Sequence, residues 1–195
     1  MPDREQTRVV HAGAAADAAG SLTRPVSPPL VQTTAWVYPD VATIDAVYEA
    51  GAPAYIYGRY GTPNHRELEQ AVADLEGAEA GVVTTNGSSA IFAVLLALTQ
   101  AGSRVVAANR VYGGTRGILN AEMARFGVET TWVDVADMAA VRAALAAEPK
   151  PALLWVDTIA NPTMLASDIP ALAELAQGAG VPLVVDNTFA TPLHC

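Results

Sequence analysis

At 195 residues, with 51% hydrophobic and 16% charged side chains, the chain has the composition of a folded globular protein rather than a disordered one. Its formal net charge of −9 repels phosphate backbones and anionic lipid surfaces, which argues against nucleic acid and membranes as partners. The most apolar stretch, residues 90–98, is too short to span a bilayer, the first residues lack a basic-then-apolar leader, and the single cysteine, Cys195, excludes an internal disulfide and fits a reducing cytoplasm.

Residues 1–53 hold Pro25, Pro28, Pro29 and Pro39 and show no sustained periodicity beyond one short helix expected over 40–50. A structureless stretch of that length suits an N-terminal arm reaching across a neighbour. Residues 54–195 read as the domain proper. From Pro63 a strand–helix rhythm begins. Asn64 followed by Glu67 resembles a capping box, and Leu68, Ala71, Val72 and Leu75 recur at helical spacing until Gly77. A strand is expected over 81–84, then a helix over 88–98 that is apolar nearly all round and so expected to be buried. Strands over 104–108 and 129–133 alternate with helices over 115–126 and 138–147. The last two strands, 152–156 and 182–185, flank a helix that starts near Ser167-Asp168, takes Pro170 in its first turn and stops at Gly178. Apolar strands alternating with helices predict an α/β fold with a mainly parallel sheet covered on both faces. Right-handed crossovers put every strand's C-terminal end on one edge, where such sheets bind ligands.

That edge is where the polar motifs fall. Thr85-Asn86-Gly87-Ser88-Ser89 opens into a helix, whose unpaired amides favour an anion such as phosphate, although an ordinary capped glycine turn reads the same way. Tyr112, in Val111-Tyr112-Gly113-Gly114-Thr115, can stack on a planar ring and move a proton, or simply pack half-buried. Asn161, before Pro162, can aim its amide at a ring hydroxyl, or bond its own backbone in a turn. Asp186 follows an apolar strand and needs a partner: a protonated ring nitrogen, a structural cation or a helix cap would each serve. Tyr57 and Arg59, in Tyr55-Ile56-Tyr57-Gly58-Arg59-Tyr60-Gly61, suggest a phosphate clasp or a solvated loop. No single motif decides. Four polar strand ends on one edge, with a loop able to reach it, are hard to assign to packing alone.

In order and spacing these motifs, together with Val10-His11-Ala12-Gly13, Asn161-Pro162-Thr163 and Val185-Asp186-Asn187-Thr188-Phe189, resemble the Cys/Met-metabolism, or trans-sulfuration, enzymes of the cystathionine γ-synthase and γ-lyase group. The resemblance implies the large domain of a fold-type I enzyme using pyridoxal 5′-phosphate, incomplete here, with an extended arm. It implies that Gly87 and Ser88 give amides to the cofactor phosphate, that Tyr112 stacks on the ring, that Asn161 bonds its 3′-oxygen and that Asp186 bonds its pyridine nitrogen. Tyr112 would also take part in catalysis. Tyr57 and Arg59 would reach the phosphate of a neighbouring subunit in a dimer of dimers. The expected substrates are cystathionine or an acylated homoserine, undergoing γ-elimination or γ-replacement.

The chain departs from the family pattern in places. Thr62-Pro63-Asn64 stands where Asn-Pro-Thr is usual, Asn86-Gly87-Ser88 where Ser-Gly-Met is usual, and Asp157 where glutamate is common. Gly114 replaces the cysteine typical of methionine γ-lyases. The family's covalent anchor lysine lies beyond the aspartate strand, whereas the only lysine in this sequence, Lys150, precedes a strand. The expectation is an N-terminal portion that is inactive alone and leaves a sheet edge uncovered. A non-catalytic half-enzyme serving as an assembly partner is the rival reading. A nucleotide-binding α/β domain is a third, weakened because no G-x-G-x-x-G follows the first strand. No metal site is expected.

Overall fold

The computed structural model describes residues 9–10 and 27–195, so much of the proposed arm, and the His11-Ala12-Gly13 motif, lie outside the described residues. The chain divides into two compact units, one ending at Val83 and one starting at Thr84.

In the first unit, helix α1 (Val41–Tyr48) starts where the Asp40 carboxylate accepts from the Thr43 amide and hydroxyl at 2.7 and 2.8 Å. Helix α2 (Pro63–Glu76) is capped by Thr62, with Pro63 in its first turn, and stops at Gly77 in the left-handed conformation. Asn64 is therefore inside the helix and does not cap it. Its amide instead ties down the preceding chain, accepting from the Val31 amide at 2.8 Å and donating to the Pro29 carbonyl at 2.8 Å.

The strand expected over 81–84 is absent. A Cβ at Gly81 would lie 2.6 Å from the Glu69 carbonyl oxygen, and the Val83 amide donates to the Glu69 carboxylate at 3.0 Å. This segment lies close against the backbone of α2, and the Glu69 side chain takes the Val83 amide that a neighbouring strand would have used.

The second unit is a four-stranded parallel sheet in the order β2-β1-β3-β4, with β1 (Arg104–Ala108), β2 (Glu129–Val133), β3 (Leu153–Asp157) and β4 (Leu183–Asp186). The two central strands are buried at every residue, which is why they read as unbroken apolar runs. Helices α3 (Gly87–Leu98), α4 (Gly113–Gly117, continued by a π-helical turn over Ile118–Met123), α5 (Met138–Ala146), α6 (Ile169–Ala179) and α7 (Thr191–His194) complete it. Ile91, Leu95, Leu119, Met123, Val141, Leu145 and Leu172 pack with the strands into one core. Helix α3 buries one face only: Leu96 and Leu98 remain 46% and 42% exposed, so its all-round apolar character is not matched by all-round burial. Helix α6 ends at Gly180, left-handed with φ 61°, rather than at Gly178. Among the described residues no helix is long and apolar enough to cross a membrane.

At the N-terminal end of the sheet Arg104 is buried. Its guanidinium donates to the carbonyls of Pro149 (2.9 Å), Ala144 (3.1 Å) and Ala147 (2.5 Å). These are carbonyls at and beyond the C-terminus of α5, where helical carbonyls lack partners and the dipole favours a cation.

Candidate functional site

At the opposite end of the sheet, a cavity of about 500 Å³ opens at the C-terminal ends of the strands, a size that suits a small organic ligand. Gly87, Ser88, Tyr112, Asn161 and Asp186 all line it, with Trp155, Asp157 and Phe189 among its further walls.

The Gly87–Ser88 wall is the first turn of α3. The Asn86 side chain accepts the Ser89 amide at 2.9 Å, which satisfies one of the helix's unpaired donors and leaves those of Gly87 and Ser88 outside the helical ladder. A Cβ built on Gly87 meets nothing within 4 Å, so the backbone here is open to close approach. Positive dipole end and free amides together make an anion seat.

Tyr112 sits at the N-terminal boundary of α4. Its amide donates to Asp157 Oδ2 at 2.8 Å, and its ring lies over Gly114, where a Cβ would come within 2.3 Å of Cε1. Gly114 is thus what allows this ring position. Asn161 is carried by the chain between β3 and α6, which folds back on itself. Ile159 bridges Ala166, the Ala160 amide donates to the Leu165 carbonyl at 2.9 Å, and the Ser167 hydroxyl donates to the Asp157 carbonyl at 2.7 Å.

Asp186 ends β4. Its Oδ1 accepts from the Thr188 amide at 3.1 Å and the Thr188 hydroxyl at 2.5 Å, and no arginine or lysine pairs with it among the described residues. Sheet register sets Asp157 directly beside it. Burial pushes the Asp157 carboxyl up to about 6; the Tyr112 amide opposes that rise and the neighbouring Asp186 charge adds to it. The Trp155 indole N–H is near enough to favour the ionised form but completes no hydrogen bond, and both it and Asp157 Oδ1 stay buried without a partner.

Two expected site residues lie elsewhere in the chain. Tyr57 and Arg59 belong to the first unit, on and just before a 3₁₀ turn over Gly58–Tyr60. There the Arg59 guanidinium stacks against the rings of Tyr57 and Tyr60, at 5.7 and 5.2 Å from their centroids. Lys150 lies just before β3, with Nζ 3.1 Å from where a Cβ on Gly180 would be. It stands at the opposite end of β3 from Asp157, which is about 16 Å of strand away. Asp157 was not singled out from sequence as a site residue. The available signal was the pair of strands β3 and β4, both of which end in aspartate. Among the described residues no cluster of three His, Cys, Asp or Glu side chains is placed to hold a metal.

Residues 6–195 match the family model described as Cys/Met metabolism PLP-dependent enzyme. The L-methionine gamma-lyase of Porphyromonas gingivalis is 35% identical over 97% of this chain and 46% of its own length. The cystathionine gamma-lyase of Bacillus subtilis is 34% identical over the same shares. A solved Campylobacter jejuni structure, described as an O-acetylhomoserine (thiol)-lyase and holding N′-pyridoxyl-lysine-5′-monophosphate, superposes with a TM-score of 0.87 at 25% identity, over 98% of this chain and 46% of that one. The chain spans about half the length of the relatives it matches.

Proposed function

Because this chain belongs to the Cys/Met metabolism PLP-dependent enzyme family, we propose that its cavity is the cofactor-holding part of an enzyme that acts on cystathionine or an O-acylhomoserine by γ-elimination or γ-replacement. The observation that carries this reading is that an anion seat at Gly87–Ser88 and an aspartate with no paired cation, Asp186, line one cavity of suitable size. The donor set fits pyridoxal 5′-phosphate group by group. Amides meet a phosphate, a carboxylate meets a protonated ring nitrogen, and an aromatic ring and a carboxamide flank the space between.

When bound, the cofactor supplies an electron sink into which an amino acid's α-carbon can release its bonding pair on deprotonation. The chain's own residues make that chemistry accessible. Asp186 would accept the ring N–H and keep the proton on that nitrogen, and Thr188 holds the carboxylate in place through Oδ1. Asn161 would orient the ring through its 3′-oxygen. Tyr112 lines the cavity, and its phenolic oxygen is the candidate to hold or move a substrate proton. Apolar side chains of Ile91, Val94 and Val184 line the cavity and limit water.

Lys150, the only lysine in the sequence, lies at the wrong end of the sheet to anchor the cofactor, so these 195 residues are expected to bind it without turnover unless another segment brings a lysine. Tyr57 and Arg59 are assigned to the phosphate of a neighbouring subunit, within a dimer of dimers in the cytoplasm. Titration with pyridoxal 5′-phosphate, followed by quenching of tryptophan emission, tests the reading. Saturable binding with a dissociation constant in the micromolar range supports it, and no saturable quenching up to millimolar cofactor counts against it.

A further inference from the structure

Asp157 has a geometry that the cofactor reading does not use. It is 4% exposed, carries an ionisable group, and gives one oxygen to the Tyr112 amide while Oδ1 has no partner. We propose that Asp157 is a positioning residue that fixes the turn between β1 and α4, and through it the Tyr112 ring against the bound cofactor. This inference rests on the pyridoxal phosphate reading above.

The turn needs such an anchor. Tyr112 is followed by Gly113 and Gly114, two residues with the widest backbone freedom, and Gly114 must lack a Cβ for the ring to lie where it does. Tyr112 has φ −48° and ψ 136°, outside the helix that follows, so no helical carbonyl takes its amide. Asp157 takes it instead, from the end of the neighbouring strand β3. Asp157 is itself held firmly, because β3 pairs on both sides and the Ser167 hydroxyl bonds its carbonyl. The strand end that carries Asp157 is thus tied on several sides, and it holds the start of α4 at Tyr112. The carboxylate also stands next to Asp186, so two acids share the cavity floor in adjacent register.

The test uses the full chain, ¹⁵N/¹³C-labelled. In the unsubstituted protein the proposal predicts a scalar coupling across the hydrogen bond between Tyr112 ¹⁵N and the Asp157 carboxyl carbon, a measurement that does not depend on any variant folding. Asp157→Ala is expected to speed Tyr112 amide exchange about tenfold relative to amides in β1, and to weaken pyridoxal phosphate binding by about tenfold. Asp157→Asn keeps an acceptor and should restore both to within about threefold of the parent. An absent coupling, unchanged Tyr112 exchange in the alanine variant, or an asparagine variant as impaired as alanine would each overturn the proposal. Failure of the parent chain to bind the cofactor would count against the functional reading itself. The coupling and exchange data would still decide whether Asp157 holds Tyr112.

Discussion

The two ends of the same parallel sheet treat charge in opposite ways. At the N-terminal end, Arg104 is buried yet spends its guanidinium on three carbonyls at the end of α5, and Lys150 reaches the Gly180 turn that closes α6. There the Arg104 guanidinium serves the end of α5. At the C-terminal end, two aspartates stand side by side with no paired cation among the described residues, α3 presents unpaired amides, and buried polar atoms of Asp157 and Trp155 remain unmatched. The first end leaves one buried hydroxyl, Thr130 Oγ1, unmatched, whereas the second gathers the unmatched Asp157 and Trp155 atoms, two carboxylates and free helix amides around one cavity. Unsatisfied capacity concentrated around a cavity points to a ligand rather than to poor packing.

Substitutions that exchange these behaviours sharpen the contrast. Arg104→Met should lower unfolding free energy by about 3 kcal/mol, since several buried carbonyls lose a charged donor, while cofactor affinity in the folded fraction stays unchanged. Chemical denaturation alongside cofactor titration checks both halves. Asp186→Ala should do the reverse, weakening cofactor binding about 100-fold, or about 2.7 kcal/mol, with stability held or slightly raised by relief of repulsion on Asp157. If affinity and stability fell together in either variant, the two ends would not be separable.

The smallest effect is a pH dependence. The folded chain holds the Asp157 carboxyl up to about 6, above its ordinary value of 3.8, so the folded state binds the proton more tightly than the unfolded state. The stability this contributes is complete below about pH 4 and is lost as pH rises through 6. Asp157→Asn should flatten that decline in denaturation curves taken between pH 4 and 7; a slope unchanged by the substitution would place its origin elsewhere.

Much of this was legible in the chain because its causes are local. Val105–Val106 and Leu153–Leu154 are apolar without interruption, which only a strand covered on both faces tolerates, and the parallel sheet follows. Asp186 ends β4, and Tyr112 and Asn161 lie four residues past β1 and β3, whose ends share one edge, so their convergence on one cavity needs no knowledge of side-chain packing; Gly87 joins them from the first turn of α3 although the strand expected before it is absent. The misreadings arose where a distant partner decides. Segment 81–84 has strand composition, but Glu69 and the α2 backbone occupy it. Asn64 looks like a cap until Thr62 and Pro63 start the helix before it. Asp157 looked like the first residue of a loop, because its bond to Tyr112 spans 45 residues and depends on strand order.

The most direct test is a structure of the chain with pyridoxal 5′-phosphate bound. The account predicts the phosphate on the Gly87 and Ser88 amides and the pyridine nitrogen within hydrogen-bonding distance of the Asp186 carboxylate. A cofactor seated elsewhere, or lying in this cavity with its ring nitrogen turned away from Asp186, would contradict it.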